Sequence, residues 1–178
     1  MIPHAALAAL LCLALAVPAA ADSPQFTGAV ISVADGDTIT VLTKDKRQVK
    51  IRLYGIDCPE RNRSFGVRAK QATSDAVFGK PVTVQPMDMD RHDQTVAVVY
   101  MPGGKSLNEH LVREGMAWVY PQYCKQEEIC APLRKLEQAA RSQRRGVWDD
   151  KDQMSPQDGG GLMFLPSVPS WGGGERSK

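Results

Sequence analysis

Apolar and polar residues alternate in several short stretches of the chain, and this two-residue period is typical of strands that bury one face. Thr38–Thr43 alternates and is rich in β-branched residues, and Arg47–Ile56 alternates again after a polar turn. Together with Phe26–Val33 they predict a three-stranded antiparallel meander. Two further strands are predicted over Pro81–Pro86 and Thr95–Tyr100, joined by a polar connection.

A period of three to four residues takes over in three other segments, where it predicts amphipathic helices. The first begins at Phe65, directly after Ser64, which can cap its N-terminus. The second covers Ser106–Glu114, whose first turn fits a capping box. Because proline is tolerated at the first position of a helix, Pro132 predicts a third helix over Leu133–Gln143.

The two ends of the 178-residue chain differ from its middle in composition. Ala5–Val17 is apolar but too short to span a membrane, and Ala19–Ala21 resembles a cleavage site, although no Lys or Arg precedes it. We expect residues 1–21 to be a secretory signal, with an uncleaved anchor as the alternative. Residues 22–150 would then form one domain in the periplasm or outside the cell, followed by a disordered Gly/Pro/Ser-rich tail over residues 151–178.

The net charge and the cysteines bear on the kind of partner and on the kind of site that the chain can have. The formal net charge of +2 gives no strong electrostatic case for a polyanionic partner, so any basic surface must be local. Cys124 and Cys130 can form a disulfide in an oxidising compartment, and no paired set of Cys or His accompanies them that would favour zinc. If Cys12 leaves with the signal, Cys58 is the odd thiol of the remaining chain.

Acidic residues lie at the open end of the hairpin that the second and third predicted strands form. Asp37 precedes one strand, and Asp57 and Glu60 follow the next. A hairpin of this length returns residue 57 to the side of residue 37, so the three carboxylates can converge, and Arg52 lies on the strand that leads to them. Oxygen ligands suit a hard cation, and a guanidinium matches a phosphate. The group therefore predicts a site for phosphoryl chemistry; the alternative is that the Asp-Gly sequence only forms a turn.

Six ordered segments resemble the thermonuclease family, which includes staphylococcal nuclease. They are Asp35–Thr38, Ile51–Leu53, Ile56–Glu60, Asn108–Ala117, Leu136–Arg141 and Gly146–Trp148. The resemblance runs from about Thr27 to Asp149 and preserves the spacing of the motifs. It implies an α+β fold, a five-stranded OB-fold β-barrel with three helices.

The resemblance also implies a calcium ion and its ligands. Asp37 and Asp57 would bind the ion directly, joined by the backbone carbonyl of Cys58. Asp35 would stand behind these ligands and hold the site in shape.

The same resemblance implies two catalytic residues, and the chain differs from the family pattern at one further position. Glu60 would act as general base on the attacking water, and Arg52 would bind the scissile phosphate. Gln94 stands where the family carries a second catalytic arginine, and an arginine in such a place is worth about 10³–10⁵ in rate. Arg91, in the same connection, is a candidate to replace it.

The resemblance places tyrosines near the nucleotide, so Tyr120 or Tyr123 is expected to contact the substrate, with barrel packing as the alternative. The implied function is calcium-dependent hydrolysis of DNA or RNA with little sequence specificity, by a secreted monomer without a stable protein partner. Because Gln94 carries no charge, the alternative is an impaired module that binds nucleic acid or protein without cleaving it.

Overall fold

The computed structural model describes residues 24–63 and 65–149. Within them, the strands are β1 (Phe26–Asp35), β2 (Thr38–Thr43), β3 (Gln48–Leu53), β4 (Ile56–Asp57), β5 (Pro81–Met89), β6 (Thr95–Tyr100) and β7 (Trp118–Val119). The helices are α1 (Gly66–Val77), α2 (Leu107–Arg113) and α3 (Glu127–Ser142), and a 3₁₀ turn covers Gly146–Trp148. None of the described helices is long and apolar enough to cross a membrane. The predicted signal and tail lie outside the described residues.

Five of the described strands close a barrel in the order β1-β2-β3-β6-β5. Neighbouring strands are antiparallel, except that β3 and β6 run parallel. Apolar and polar residues alternate along β2 and β3, so every second side chain enters the barrel core. These side chains are Ile39, Val41, Ile51 and Leu53. The predicted α+β barrel with three helices is confirmed, and two strands run beyond their predicted ends, β1 to Asp35 and β5 to Met89.

The third strand, in contrast, is shorter than predicted. It stops at Leu53 instead of Ile56, because the chain turns at Tyr54–Gly55, where the φ of Gly55 is +73°. A Cβ at Gly55 would lie 2.6 Å from Sγ of Cys124, so the turn needs glycine for space as well as for conformation. The next two residues form β4, which pairs with β7 in a separate two-stranded sheet.

Helices α1 and α2 lie where the sequence predicted them. Ser64, the expected cap of α1, lies outside the described residues, and Phe65 stands at the N-cap position. Ser106 caps α2 as predicted, since its side-chain oxygen accepts a hydrogen bond from the backbone N–H of Glu109 at 3.3 Å.

The prediction for α3 was wrong at its start. The helix begins at Glu127, six residues before Leu133, and Pro132 lies inside it. A proline there cannot donate to the carbonyl of the residue four positions earlier. However, the acidic first turn suits the positive end of a helix. A disulfide between Cys124 and Cys130, which the sequence allowed, ties this turn to the preceding loop. The helix therefore starts at its acidic residues and tolerates the proline.

Candidate active site

A cavity of about 470 Å³ opens where the barrel meets the small sheet. Its charged lining is Asp35, Asp37, Arg52, Asp57, Glu60 and Arg61. Asp35 ends β1, Arg52 lies on β3, and Asp57 lies on β4, so three strands deliver charge to one place. The sequence predicted that Asp37, Asp57 and Glu60 could converge beside Arg52, and all four line this cavity. Asp35 and Arg61 line it as well.

Asp37 lies on the buried side of the cavity. It lies in the turn between β1 and β2 and is only 4% exposed. Its Oδ1 accepts a hydrogen bond from the hydroxyl of Thr38 at 2.9 Å, and its Oδ2 accepts one from the backbone N–H of Cys58 at 3.3 Å. The second bond spans 21 residues and joins the barrel turn to the segment after β4. Buried carboxylates need such donors, and here they also fix the orientation of the side chain.

Arg52 links the two buried carboxylates. Its Nη2 donates to Oδ1 of Asp57 at 2.6 Å and lies 3.3 Å from Oδ2 of Asp37. Burial disfavours the charged guanidinium, but the charges of Asp37 and then Asp57 outweigh it and raise the pKa of Arg52. Both contacts use Nη2, and within the described residues Nε and Nη1 have no protein partner. The guanidinium therefore keeps donors for a phosphate.

Asp57 and Cys58 titrate differently from free side chains. Burial, followed by the negative charge of Asp37, raises the pKa of Asp57 to about 6, against the opposing effect of Arg52. Burial and the same two carboxylates raise the pKa of the Cys58 thiol well above its usual range. The thiol stays protonated and buried, so it is not a nucleophile of this site.

The carboxylates fit a hard divalent cation that completes its coordination elsewhere. Asp37 and Asp57 supply oxygen ligands, and the nitrogen of Arg52 between them shows that this point accommodates positive charge. In the described part of the chain, no group of three or more His, Cys, Asp or Glu side chains is arranged to hold a metal ion. The residues thus suit an ion that also takes backbone carbonyls, water or substrate oxygens, and the role of the Cys58 carbonyl stays a prediction.

Comparison with known proteins identifies the family of this chain. The family described as "Staphylococcal nuclease homologue" matches residues 50–150. The chain belongs to this family. It is 40% identical over 159 residues to a micrococcal nuclease of Shigella flexneri, an alignment that covers 85% of this chain and 88% of that protein.

Two further relatives are uncharacterized endonucleases. One, from Escherichia coli O157:H7, is 40% identical over 129 residues, or 72% of this chain and 81% of the relative. The other, from Haemophilus influenzae, is 34% identical over 156 residues, or 88% and 85%. Membership of the staphylococcal nuclease family makes this chain a phosphodiester hydrolase of the thermonuclease type, with a general dependence on a divalent metal.

Gln94 and Arg91 do not belong to the cavity lining of this family member. Gln94 is half-buried just before β6, where its backbone N–H donates to Oδ1 of Asp90 at 2.9 Å. Arg91 is exposed, and its Nε lies 3.2 Å from Nε2 of His92. In the structure, neither residue lines the cavity, and Arg91, the candidate substitute, contacts a neighbour in its own turn. That Gln94 replaces a catalytic arginine of the family stays a prediction.

Tyr120 and Tyr123 also lie outside the cavity lining. Their rings stack with centroids 5.0 Å apart, and Tyr123 is 66% exposed. Such a ring can receive a base, so contact with the substrate stays a prediction.

Three residues that shape the site escaped sequence reasoning. Arg61 lines the cavity, and its place directly after Glu60 was the available signal. Thr73 of α1 is fully buried and donates its hydroxyl hydrogen to the carbonyl oxygen of Gly36, inside the acidic turn. Asn108 of α2 is buried and donates to the carbonyl of Tyr54 at 2.9 Å, behind the turn that leads to β4. The last two partners are distant in sequence, so a local pattern could not reveal them.

Proposed function

We propose that this chain is a secreted, calcium-dependent nuclease that hydrolyses phosphodiester bonds of DNA or RNA with little sequence specificity. The observation that carries the proposal is the convergence of Asp37, Arg52, Asp57 and Glu60 around one cavity in a member of the staphylococcal nuclease family. Two carboxylates for a cation, one guanidinium for a phosphate and one free carboxylate for a proton are the groups that the reaction needs.

Glu60 is the proposed general base. It is exposed at the rim of the cavity, whereas Asp37 and Asp57 are buried and engaged by Arg52. A carboxylate in contact with solvent can reach a water molecule and remove its proton as the water attacks phosphorus. The buried pair is poorly placed for this task, because Asp37 and Asp57 are little exposed to solvent and are the proposed ligands of the cation.

Arg52 is the proposed phosphate ligand. With Nη2 held by the carboxylates, its remaining N–H groups face a phosphate that enters the cavity, and they stabilise the charge that builds on its oxygens. Asp37 and Asp57 would hold the cation, with the carbonyl of Cys58 as a third ligand. When bound, such an ion neutralises phosphate charge and supplies Lewis-acid assistance.

Calcium, secretion and low specificity rest on separate arguments. Oxygen-only ligands favour a hard ion such as calcium. The disulfide between Cys124 and Cys130 is of the kind that persists in oxidising compartments, which supports export through the predicted signal. The cavity lining offers charged groups for a phosphate, and phosphate contacts alone carry no base information.

Cleavage of single-stranded DNA by Glu60→Gln tests the proposal. Purified protein is incubated with and without calcium, and we expect calcium-dependent cleavage whose kcat falls about 10²–10⁴-fold in the variant. Glu128→Gln is the matched control, since Glu128 is also exposed but lies on α3, outside the cavity lining. If the wild-type chain shows no calcium-dependent cleavage, the proposed function is wrong. Full activity in Glu60→Gln would be compatible with a nuclease but would show that Glu60 is not its general base.

A further inference from the structure

Arg61 lines the cavity, and the chemistry above leaves it without a role. Its Nε lies 2.8 Å from Oδ1 of Asp35, and its side chain is 64% exposed. Within the described residues, its Nη1 and Nη2 have no protein partner. The outer edge of this guanidinium is therefore available to a ligand in the cavity.

The backbone around Arg61 is fixed although the side chain is exposed. The N–H of Arg63 donates to the carbonyl of Glu60 at 2.9 Å. Gly66, the first residue of α1, packs so closely on the same segment that a Cβ there would lie 2.0 Å from the Glu60 carbonyl oxygen. The segment is thus pressed against the start of α1, and its position beside the cavity is built into the fold.

Arg61 is held more weakly than Arg52. Arg52 contacts two carboxylates that are almost fully buried, whereas Arg61 has one partner, Asp35, whose side chain is 39% exposed. Ion pairs between exposed side chains contribute little to stability. A phosphate oxygen can therefore replace Asp35 as the partner of Arg61 at small cost.

The charge of the cavity calls for a second cation near the phosphate. Its lining contains four carboxylates and two guanidiniums, and one divalent ion would balance the excess of two negative charges. A phosphodiester adds another negative charge, and the transition state spreads charge over the equatorial and leaving oxygens. Arg52 offers only the donors that its two carboxylates leave free, and Gln94 is neutral and outside the lining. Among the described residues that line the cavity, Arg61 is the positive group that remains.

We propose that Arg61 is the second guanidinium of the reaction: it exchanges Asp35 for an oxygen of the scissile phosphate and stabilises the charge that develops there. Arg61 would thereby supply in this chain what the uncharged Gln94 cannot. The inference rests on the proposed nuclease function and adds a catalytic residue to it.

Steady-state cleavage by Arg61→Ala tests this role. We expect kcat to fall about 10²–10³-fold with calcium and single-stranded DNA, while KM changes less than about threefold, because the contact strengthens in the transition state. Arg61→Lys should recover only part of the loss, since lysine lacks the planar fork. Arg68→Ala is the matched control: Arg68 lies on α1 over the ring of Phe65, outside the cavity lining, and its loss should leave kcat unchanged.

Two further measurements separate catalysis from a structural role. Free guanidinium at a low, non-denaturing concentration should raise the kcat of Arg61→Ala but not that of wild type or Glu60→Gln. The Kd of a short single-stranded oligonucleotide in EDTA should change little. A variant with unchanged kcat and weakened binding would overturn the proposal in favour of simple phosphate binding. If wild type and Arg61→Ala cleave equally well, Arg61 has no catalytic role, although the protein is still a nuclease. If wild type does not cleave, the proposed function itself is wrong.

Discussion

Thr73 ties the acidic turn to helix α1, and Thr73→Val measures how far the cavity depends on that tie. The side chain is fully buried, and its hydroxyl donates to the carbonyl of Gly36, which lies between Asp35 and Asp37. Valine has nearly the shape of threonine but lacks the hydroxyl. The substitution therefore removes one hydrogen bond without creating a void.

The expected loss of stability follows from the burial of both groups. Gly36 is itself buried, so its carbonyl would lose the Thr73 donor away from water, which costs about 1–3 kcal/mol. Thr73→Ser is the matched variant, because it keeps the donor and loses one methyl group, worth about 1 kcal/mol. Both variants should lower Tm, by about 2–8 °C for each kcal/mol. Only valine should release the turn that carries the candidate cation ligand.

Calcium affinity and kcat distinguish the two variants. If about 1.4 kcal/mol of the lost bond must be supplied when the ion orders the turn, Thr73→Val should bind calcium about tenfold more weakly and lose a similar factor in kcat. Thr73→Ser should keep both values within about twofold. Urea denaturation supplies the free energy of unfolding, and calorimetric titration supplies the calcium affinity. Wild-type affinity and kcat in a destabilised Thr73→Val would refute the reasoning and show that the pairing of β1 with β2 holds the turn alone.

Three other substitutions have defined outcomes. Arg52→Lys keeps a charge but loses the fork that contacts Asp57 and would contact a phosphate at the same time. Steady-state assays should therefore show kcat lowered by at least about 10²-fold, and a smaller loss would mean that charge alone suffices. Tyr54→Phe removes a hydroxyl that accepts hydrogen bonds from two backbone N–H groups before α3. Urea denaturation should show a loss of about 1–3 kcal/mol in the free energy of unfolding, whereas no loss would mean that water replaces the hydroxyl. Replacing Cys124 and Cys130 by serine should cost about 2–3 kcal/mol for so short a loop, and Tm should then no longer respond to a reducing agent as it does in wild type.

Much of the fold could be predicted because the barrel strands obey a simple period. β2 and β6 were placed to the residue, since their alternating, β-branched runs end at polar turns. The small sheet could not be predicted in this way. β4 and β7 have two residues each, which is too short to show any period, and they pair across about half of the described chain. The break after Leu53 also depends on Gly55, whose close approach to Cys124 is a tertiary contact.

For the site too, residues placed by local sequence could be predicted, and residues placed by distant contacts could not. Asp37, Arg52, Asp57 and Glu60 could be proposed because a hairpin fixes their spacing. Their supports could not, because Thr73 reaches across 37 residues to its partner and Asn108 across 54. Polar residues on an amphipathic helix give no local sign of such a partner.

The cavity has two walls of different character, and this difference indicates where each part of the reaction is controlled. The inner wall joins the sheets: Asp37 comes from the barrel, Asp57 from the small sheet, and Arg52 contacts both. These groups are buried and cross-linked, so they can hold a cation in a fixed position. The outer wall carries Glu60 and Arg61, whose side chains reach solvent from a firmly packed backbone. If Glu60 is the base, the proton that it removes leaves through this wall, and a polynucleotide substrate would lie across it. Substitutions in the inner wall should therefore alter metal affinity and stability together, whereas those in the outer wall should alter kcat while leaving the fold intact.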